Sequence, residues 1–427
     1  MRRAFVIALV LLFVLTWLTG ARLPLFLAVI LNGLVLIHFE LATLRRLVLT
    51  AAALLGPPPP PPYPEQWPRL TALVPCRNEA AALPATLSAW DAVSYPRAQL
   101  ELIFIDDGSV DETAALLALY ALTRPWVRVQ TKAGEAVGKG AALAAGLAAA
   151  GPSDGVVVFD ADARPRPDCL EYLAAHLVEP GVAAVAGRMI PDAVDTPAAI
   201  YARVESAVHQ RVTLTGAARL GATTPLLGSA YLVRRLVLDA LGFDPTHRLE
   251  DIDLSMRLFA RGYCIVFEPW AVCDHRPPAS LAALAAQRTA WSRGFHRVAA
   301  EHWRAAMTHA GSALGALDRL LFALGYLDRA SLALGVLLAI LTVYVRPSVW
   351  MPWWVLVAFV AVPLAQAPLA MLLDGWGAGQ MLKAIPALLL AAFDPLTELA
   401  ALVADLFGRR PIWRSTPRAE PREDRHD

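Results

Sequence analysis

The chain has 427 residues and a formal net charge of +1, a balance that offers nothing to the phosphate backbone of a nucleic acid. Its hydrophobic share of 57% and mean hydropathy of +0.48 exceed what a soluble enzyme carries. The excess is confined to residues 4–55 and about 312 to 408, so a mixed-composition segment, 69–300, sits between two apolar ends.

Residues 4–19 (AFVIALVLLFVLTWLT) and 23–39 (LPLFLAVILNGLVLIHF) each approach the roughly 20 residues that a helix needs to cross a bilayer. Arg2 and Arg3 precede the first and Arg45 and Arg46 follow the second, so the positive-inside bias places both ends of this hairpin in the cytoplasm. A cleaved signal peptide is the rival reading of the first stretch. The run GPPPPPPYP (56–64) cannot continue a helix and reads as a stiff polyproline spacer. These features divide the chain into an N-terminal transmembrane hairpin (1–55), a proline-rich linker (56–68) and a cytoplasmic domain (69–300). Interfacial and transmembrane helices (301–408) and a basic cytoplasmic tail (409–427) follow.

Within 69–190, apolar strands at 70–74, 101–105, 127–130, 155–159 and 182–186 alternate with alanine-rich helical stretches at 79–90, 111–122, 138–150 and 168–178. Such alternation predicts an α/β, Rossmann-like parallel sheet, with ligands beyond the carboxyl ends of the strands. Polar clusters fall at those ends: PCRNE (75–79), DDGSVDE (106–112) and DADARP (160–165). Asp111 reads as a helix cap. Asp160 and Asp162 are two residues apart and in extended chain share one side, an arrangement that suits a hard divalent cation and repays the cost of placing two acids together. A loop pairing with Arg164 and Arg166 is the plainer alternative.

Further on, LEDIDLSMRLFARG (249–262) reads as a helix with Glu250, Asp251 and Asp253 in its first turn, more acids than one cap requires. If Asp251 faces the crevice, it can act as a general base on an acceptor hydroxyl. QRTAWSRGFHR (287–297) sets Gln287, Arg288, Trp291, Arg293 and Arg297 at helical spacing, either solvated at a membrane surface or forming a cationic lid over a diphosphate. Lys139, in a chain whose lysines stand only at 132, 139 and 383, reads equally as a phosphate contact or a surface residue. The four cysteines lack any CxxC spacing and read as free thiols, and the nine histidines form no HExxH. At the C-terminal end, 331–345 and 349–373 read as spans; 381–407 is interrupted by Pro386, Asp394, Pro395 and Glu398. The arginines of the tail favour a cytoplasmic end. An even number of crossings then requires that 381–407 lie in the interface or that 312–327 cross.

The ordered set VPCRNE, DDGSVD, GKGAALAAGL, DAD, GSAYLVRR…GFD, LEDIDLSMRL and QRTAW resembles the membrane-embedded, inverting family 2 glycosyltransferases, among them the cellulose, hyaluronan and poly-N-acetylglucosamine synthases. The resemblance covers about 70 to 300. It implies a GT-A domain flanked by N- and C-terminal transmembrane helices, a nucleotide-sugar donor (a UDP-sugar as a rule), Mg2+ or Mn2+, and a lipid or polysaccharide acceptor at the cell membrane. Pro75 and Glu79 would belong to the first nucleotide loop, Asp107 would contact the base, and Asp160 would lie near the ribose. Asp162 would hold the metal, Asp251 would be the catalytic base with Glu250 beside it, and Gln287 and Trp291 would close on the diphosphate and line the acceptor path. His275 is a candidate further metal ligand. The sequence departs from the pattern at Leu249, where threonine is typical, and at Ala290, where the motif has arginine; Arg288 and Arg293 are the candidates to supply that charge. Polymer synthesis and single addition to a lipid both stay open, and a catalytically inactive membrane scaffold is the alternative from another class.

Overall fold

The computed structural model describes residues 22–131, 138–328, 331–332, 334–336, 353–406 and 417–418. The proposed first span, 4–19, and most of 331–345 lie outside the described residues.

Helix α1 (Arg22–Ala53) contains the second proposed span and continues past it, so Arg45 and Arg46, which follow the span, belong to the same helix. Eight strands form one sheet: β1 (Leu70–Cys76), β2 (Leu100–Asp106), β3 (Val127–Thr131), β4 (Gly155–Val158), β5 (Arg164–Pro165), β6 (Val182–Pro191), β7 (Tyr231–Arg234) and β8 (Cys264–His275). Their spatial order is β3-β2-β1-β4-β7-β6-β8-β5. The first four are mutually parallel, as the alternation predicts. The second half is not: β7 runs antiparallel to both β4 and β6. The sheet is therefore mixed. The 182–186 strand joins the parallel set only through an inserted strand that its short apolar stretch, YLVR, did not announce.

The core follows from the two-residue period of the strands. Leu70, Ala72 and Val74, Leu102 and Phe104, and Val157 and Phe159 face one layer. Leu73, Ile103 and Ile105, Val156 and Val158 face the other. Both faces are apolar because both are covered. Helices α2 (Leu83–Ala92), α3 (Thr113–Ala121) and α5 (Cys169–Ala175) supply Trp90, Leu117 and Leu170 to the first layer. Helix α4 (Lys139–Ala149) brings Ala142 and Leu143 to the second. Its alanines and glycines permit close approach: a Cβ on Gly140 would lie 2.6 Å from the Asp244 carbonyl oxygen. All four cysteines are free thiols.

From β6 the chain passes through α6 (Pro197–Ala207), a π-helical stretch at Val208–Leu214 and α7 (Thr215–Leu220) before returning as β7. Helix α7 touches α1 so closely that a Cβ on Gly216 would meet the Leu49 carbonyl oxygen at 2.1 Å. Then come α8 (Arg235–Leu241), α9 (Glu250–Phe259), α10 (Leu281–Thr308) and α11 (Ala313–Leu324). The 313–324 segment packs on the second layer, with Phe322 edge-on to Phe295 and Phe259, and Asp318 pairs with Arg45 at 2.7 Å.

Helices α12 (Trp353–Leu373), α13 (Ala378–Leu388) and α14 (Phe393–Leu406) complete the fold. By length and composition, 353–373 and 378–404 can each cross a membrane. The hairpin between α12 and α13 is anchored by Asp374, which pairs with Arg188 of β6 and, at 3.1 Å, with Arg211, while Trp376 donates its indole N–H to it at 3.3 Å. Arg188 is buried and the Asp374 side chain nearly so, so truncating the acid strands two guanidinium groups. Asp374→Ala is expected to cost about 3–5 kcal/mol, and a paired Arg188→Met, Asp374→Leu replacement to recover most of it. Thermal unfolding of the detergent-solubilised protein measures both.

Candidate active site

The loop after β1 turns at Asn78, whose φ of 54° is left-handed. Its side chain accepts from the Val110 N–H at 2.8 Å, and its own N–H donates to the Ser109 hydroxyl at 3.0 Å. The Glu79 N–H donates to Thr113 Oγ1 at 2.8 Å. The PCRNE and DDGSVDE clusters are thus one latched edge. Asp111 lies one residue before the N-cap, Glu112, and closes a turn by accepting from the Thr113 N–H at 3.0 Å and from the Ala80 N–H at 3.1 Å. Asp107 is buried and accepts from the Gly138 N–H at 3.0 Å, joining β2 to the start of α4. Pro75, the penultimate residue of β1, lines the same edge.

The two acids after β4 do not continue an extended strand. The Ala163 N–H donates to the Asp160 carbonyl at 3.0 Å, closing a turn that sends the carboxylates different ways. Asp160 meets Lys139 Nζ at 2.7 Å. Asp162 is buried, and its Oδ2 accepts no hydrogen bond; its partner cation is Arg418, whose Nε lies at 3.2 Å. Arg164 pairs with Asp192 and Arg166 with Asp274, so neither neutralises the pair that precedes them.

Lys139 is neither a surface residue nor free for a phosphate. Its ammonium joins Asp160 to Glu250, both at 2.7 Å, and donates to the Gly228 carbonyl. This ties the end of β4 to the first turn of α9. The turn before β7 adds a strained residue, Ala230 at φ 54°, while the neighbouring Ser229 hydroxyl receives the Asp160 N–H at 2.9 Å. Tyr231 is buried beside the same charges, and burial pushes its hydroxyl well above the usual range. Ser229 and Tyr231 lie inside the GSAY stretch but carry no charge pattern that marks them as site residues.

On α9 the acids divide by face. Asp253 turns away to Arg257 at 2.6 Å and His302 at 3.0 Å, a structural network that also takes in His247. Glu250 and Asp251 face Lys139 and Tyr231. Burial, then the Glu250 charge, raises the Asp251 carboxyl to about 7, against the opposing pull of Lys139. Ser255 fixes this turn by donating to the Asp251 carbonyl at 2.7 Å while accepting from the Leu226 N–H at 2.8 Å. Across the crevice, burial and the neighbouring Asp162 and Asp160 raise Glu79 to about 7. Burial lowers the half-buried His275, leaving a neutral imidazole beside Asp162.

Helix α10 crosses the start of α9: a Cβ on Gly294 would lie 2.7 Å from Leu249 Cγ. Of its motif residues, Arg288 is buried, pairs with Glu205 of α6 and lies 4.3 Å from the Trp291 ring centroid. That ties its charge to the helix frame and not to the acids of the crevice. Gln287 accepts from Arg288 at 3.1 Å, and Trp291 is partly exposed. Burial, and then the neighbouring charge of Arg293, lowers the affinity of Arg248 for a proton.

A divalent ion suits the buried Asp162 Oδ2, which accepts no hydrogen bond, with the His275 imidazole as a borderline donor beside it; Asp160 is turned to Lys139 and would have to leave it to join them. A parallel half-sheet with acids at its carboxyl edge, and a second acid-bearing helix closing the crevice, is the GT-A glycosyltransferase architecture. The chain belongs to glycosyltransferase family 2: the pattern described as Glycosyl transferase family 2 matches residues 71–224, and that described as Glycosyl transferase family group 2 matches 155–362. It is 30% identical over 236 residues to the poly-beta-1,6-N-acetyl-D-glucosamine synthase of Staphylococcus aureus, covering 54% of this chain and 55% of that one. To the probable glycosyltransferase YdaM of Bacillus subtilis it is 29% identical over 235 residues, 54% and 56% of the two chains. The match thus spans about half the length of these relatives. The fold also matches the mannosyltransferase PcManGT of Pyrobaculum calidifontis, solved with GDP-Man and Mn2+, with a TM-score of 0.60 at 23% identity over 90% of this chain and all of that one.

Proposed function

We propose that the chain transfers a sugar from a nucleoside-diphosphate sugar, UDP-linked by preference, to a lipid or growing polysaccharide at the cell membrane, with inversion at the anomeric carbon. The observation that carries this reading is a single crevice holding two kinds of acid. Asp162 offers an oxygen without a hydrogen bond, and Asp251 is a carboxyl raised to about 7 across the Lys139 bridge. One set suits a cation and the other suits a proton.

Asp162, Asp160 and His275 would hold Mg2+ or Mn2+, which supplies charge stabilisation for the departing diphosphate. Asp107, Pro75 and Glu79 form the wall for the nucleoside. Asp251 takes the hydroxyl proton of the acceptor as its oxygen bonds to the anomeric carbon, while the opposite bond from that carbon to the phosphate oxygen breaks. One displacement inverts the centre. Lys139 does not touch the reacting atoms; it positions Asp160 and Glu250 relative to each other. The apolar helices 353–373 and 378–404, with the hairpin anchored at Asp374, support an acceptor delivered from the bilayer to a cytoplasmic donor site. The relationship to a synthase named for an N-acetylglucosamine polymer supports a polysaccharide product.

The test is release of nucleoside diphosphate by the purified full chain in lipid nanodiscs. A panel of UDP- and GDP-sugars is offered with and without Mn2+, with membrane lipids as acceptors. Metal-dependent release with at least one donor is expected. No turnover across the panel overturns the reading in favour of a scaffold.

A further inference from the structure

Pro417 and Arg418, the described residues of the C-terminal tail, lie on the Asp162 side of the crevice. Arg418 pairs as an isolated antiparallel bridge with Pro278, and the Ala279 N–H donates to the Pro417 carbonyl at 2.9 Å. The attachment lies immediately before Ser280, whose hydroxyl caps α10 by accepting from the Ala283 N–H at 3.2 Å. Backbone pairing therefore fixes the tail to the element that carries the QRTAW residues. The guanidinium is held at two further points: Nη1 donates to the Arg276 carbonyl at 3.0 Å, and Nε lies 3.2 Å from Asp162 Oδ2. Its charge also bears on Glu79 and on His275, pulling the carboxyl of the one and the imidazole of the other down. Arg418 thus occupies the position among Asp162, Glu79 and His275 where a cation is wanted.

We propose that Arg418 is a donor-site residue that exchanges partners: it neutralises Asp162 when no donor is bound and neutralises the donor's diphosphate when a metal takes its place on Asp162. The inference rests on the glycosyl-transfer reading above. Its physical basis is charge pairing around a buried carboxylate. Breaking the Arg418–Asp162 pair without replacement would leave the buried Asp162 charge uncompensated. A metal arriving with a diphosphate brings one new partner for each, so every charge stays paired throughout. Guanidinium suits the second role because its planar fork matches two phosphate oxygens at once. The need for such a cation is local as well. Ala290 contributes none, Lys139 is held by two carboxylates and Arg288 is held by Glu205.

Exchange predicts effects of opposite sign on two probes. In Arg418→Ala, Mn2+ alone should bind several-fold more tightly, because its competitor for Asp162 is gone. UDP in the presence of Mn2+ should bind at least about tenfold more weakly, because a charge-assisted contact is lost. Arg418→Lys should leave Mn2+ binding close to that of the wild type, because a competing cation remains, and lose part of the affinity for UDP. Calorimetry on the full chain in detergent, with GDP in parallel and thermal unfolding as a control, reads all of these. Tighter binding of both probes would show that the tail merely blocks the site and would overturn the exchange. So would weaker binding of both at an unchanged melting temperature, or no change in either. If wild-type protein binds UDP with Mn2+ and the variant behaves identically, this inference falls and the glycosyl-transfer reading stands. If wild-type protein binds neither UDP nor GDP, both fall.

Discussion

Asp251→Asn should lower turnover by about 10^3-fold while leaving donor affinity within a factor of two or three. Asparagine keeps the shape of the side chain at the start of α9, so the Ser255 contacts to the Asp251 carbonyl and the Leu226 N–H persist. What disappears is a carboxylate able to take a proton. Loss in kcat with donor binding retained marks a group that acts in the transition state and not in ground-state binding. The same residue sets a pH profile. Burial and Glu250 raise the Asp251 carboxyl to about 7, so the ionised base is depleted as pH falls below about 7 and turnover should fall with it. The sign of the linked stability is opposite. Between the ordinary carboxyl range and about 7, the folded chain holds a proton at this position that the unfolded chain has released. This group therefore stabilises the fold as pH drops through that window. A fall in turnover at pH 6 accompanied by undiminished thermal stability identifies titration of the base. In Asp251→Asn the like charge beside Glu250 is also gone, and the melting temperature should hold or rise. Normal turnover in the variant would remove Asp251 from its role.

How much of this site the sequence displays depends on what kind of signal each part leaves. The parallel strands β1, β2 and β4 were legible because burial on both faces demands apolar runs, and the polar clusters at their ends break those runs abruptly. Strand β7 was not, since four residues between an uncharged loop and a pair of arginines look the same whether they join a sheet in one direction or the other. Asp160 and Asp162 show the limit of spacing arguments. Two-residue separation puts side chains together only while the backbone stays extended, and here a turn begins at Asp160 itself. The acids still serve one crevice, but through Lys139 on one side and Arg418 on the other. Lys139 stood out by rarity, yet its two carboxylate partners come from the turn after β4 and from α9, about 20 and 110 residues further along the chain. Arg418 left no signal at all. One arginine in a tail rich in arginines gains significance only when the tail is seen paired beside Pro278. The Arg288 charge, legible as a candidate, is drawn aside by Glu205 on a helix whose packing against α10 no local pattern announces.

Asp162→Ala is expected to weaken UDP binding in the presence of Mn2+ by at least about 100-fold, leaving only the affinity seen with a chelator present. Loss of an outer partner of a metal ligand costs about 10–100-fold, and a ligand itself should cost no less. The carboxylate is well placed for so large an effect because it is buried and its Oδ2 takes no hydrogen bond, so little but a cation stabilises its charge. Removing it also frees Arg418, which then has Glu79 as the nearby acid on which its charge already bears. That consequence separates two accounts of the site. If Asp162 matters through a bound ion, the variant loses the difference between Mn2+ and chelator while metal-free UDP binding is unchanged or slightly improved by the liberated guanidinium. If Asp162 matters only as the anchor of the tail, the variant should behave as Arg418→Ala does, with Mn2+ dependence retained. Titrating UDP into both variants, with Mn2+ and with chelator, distinguishes the accounts. Retention of full Mn2+ dependence in Asp162→Ala would move the metal elsewhere.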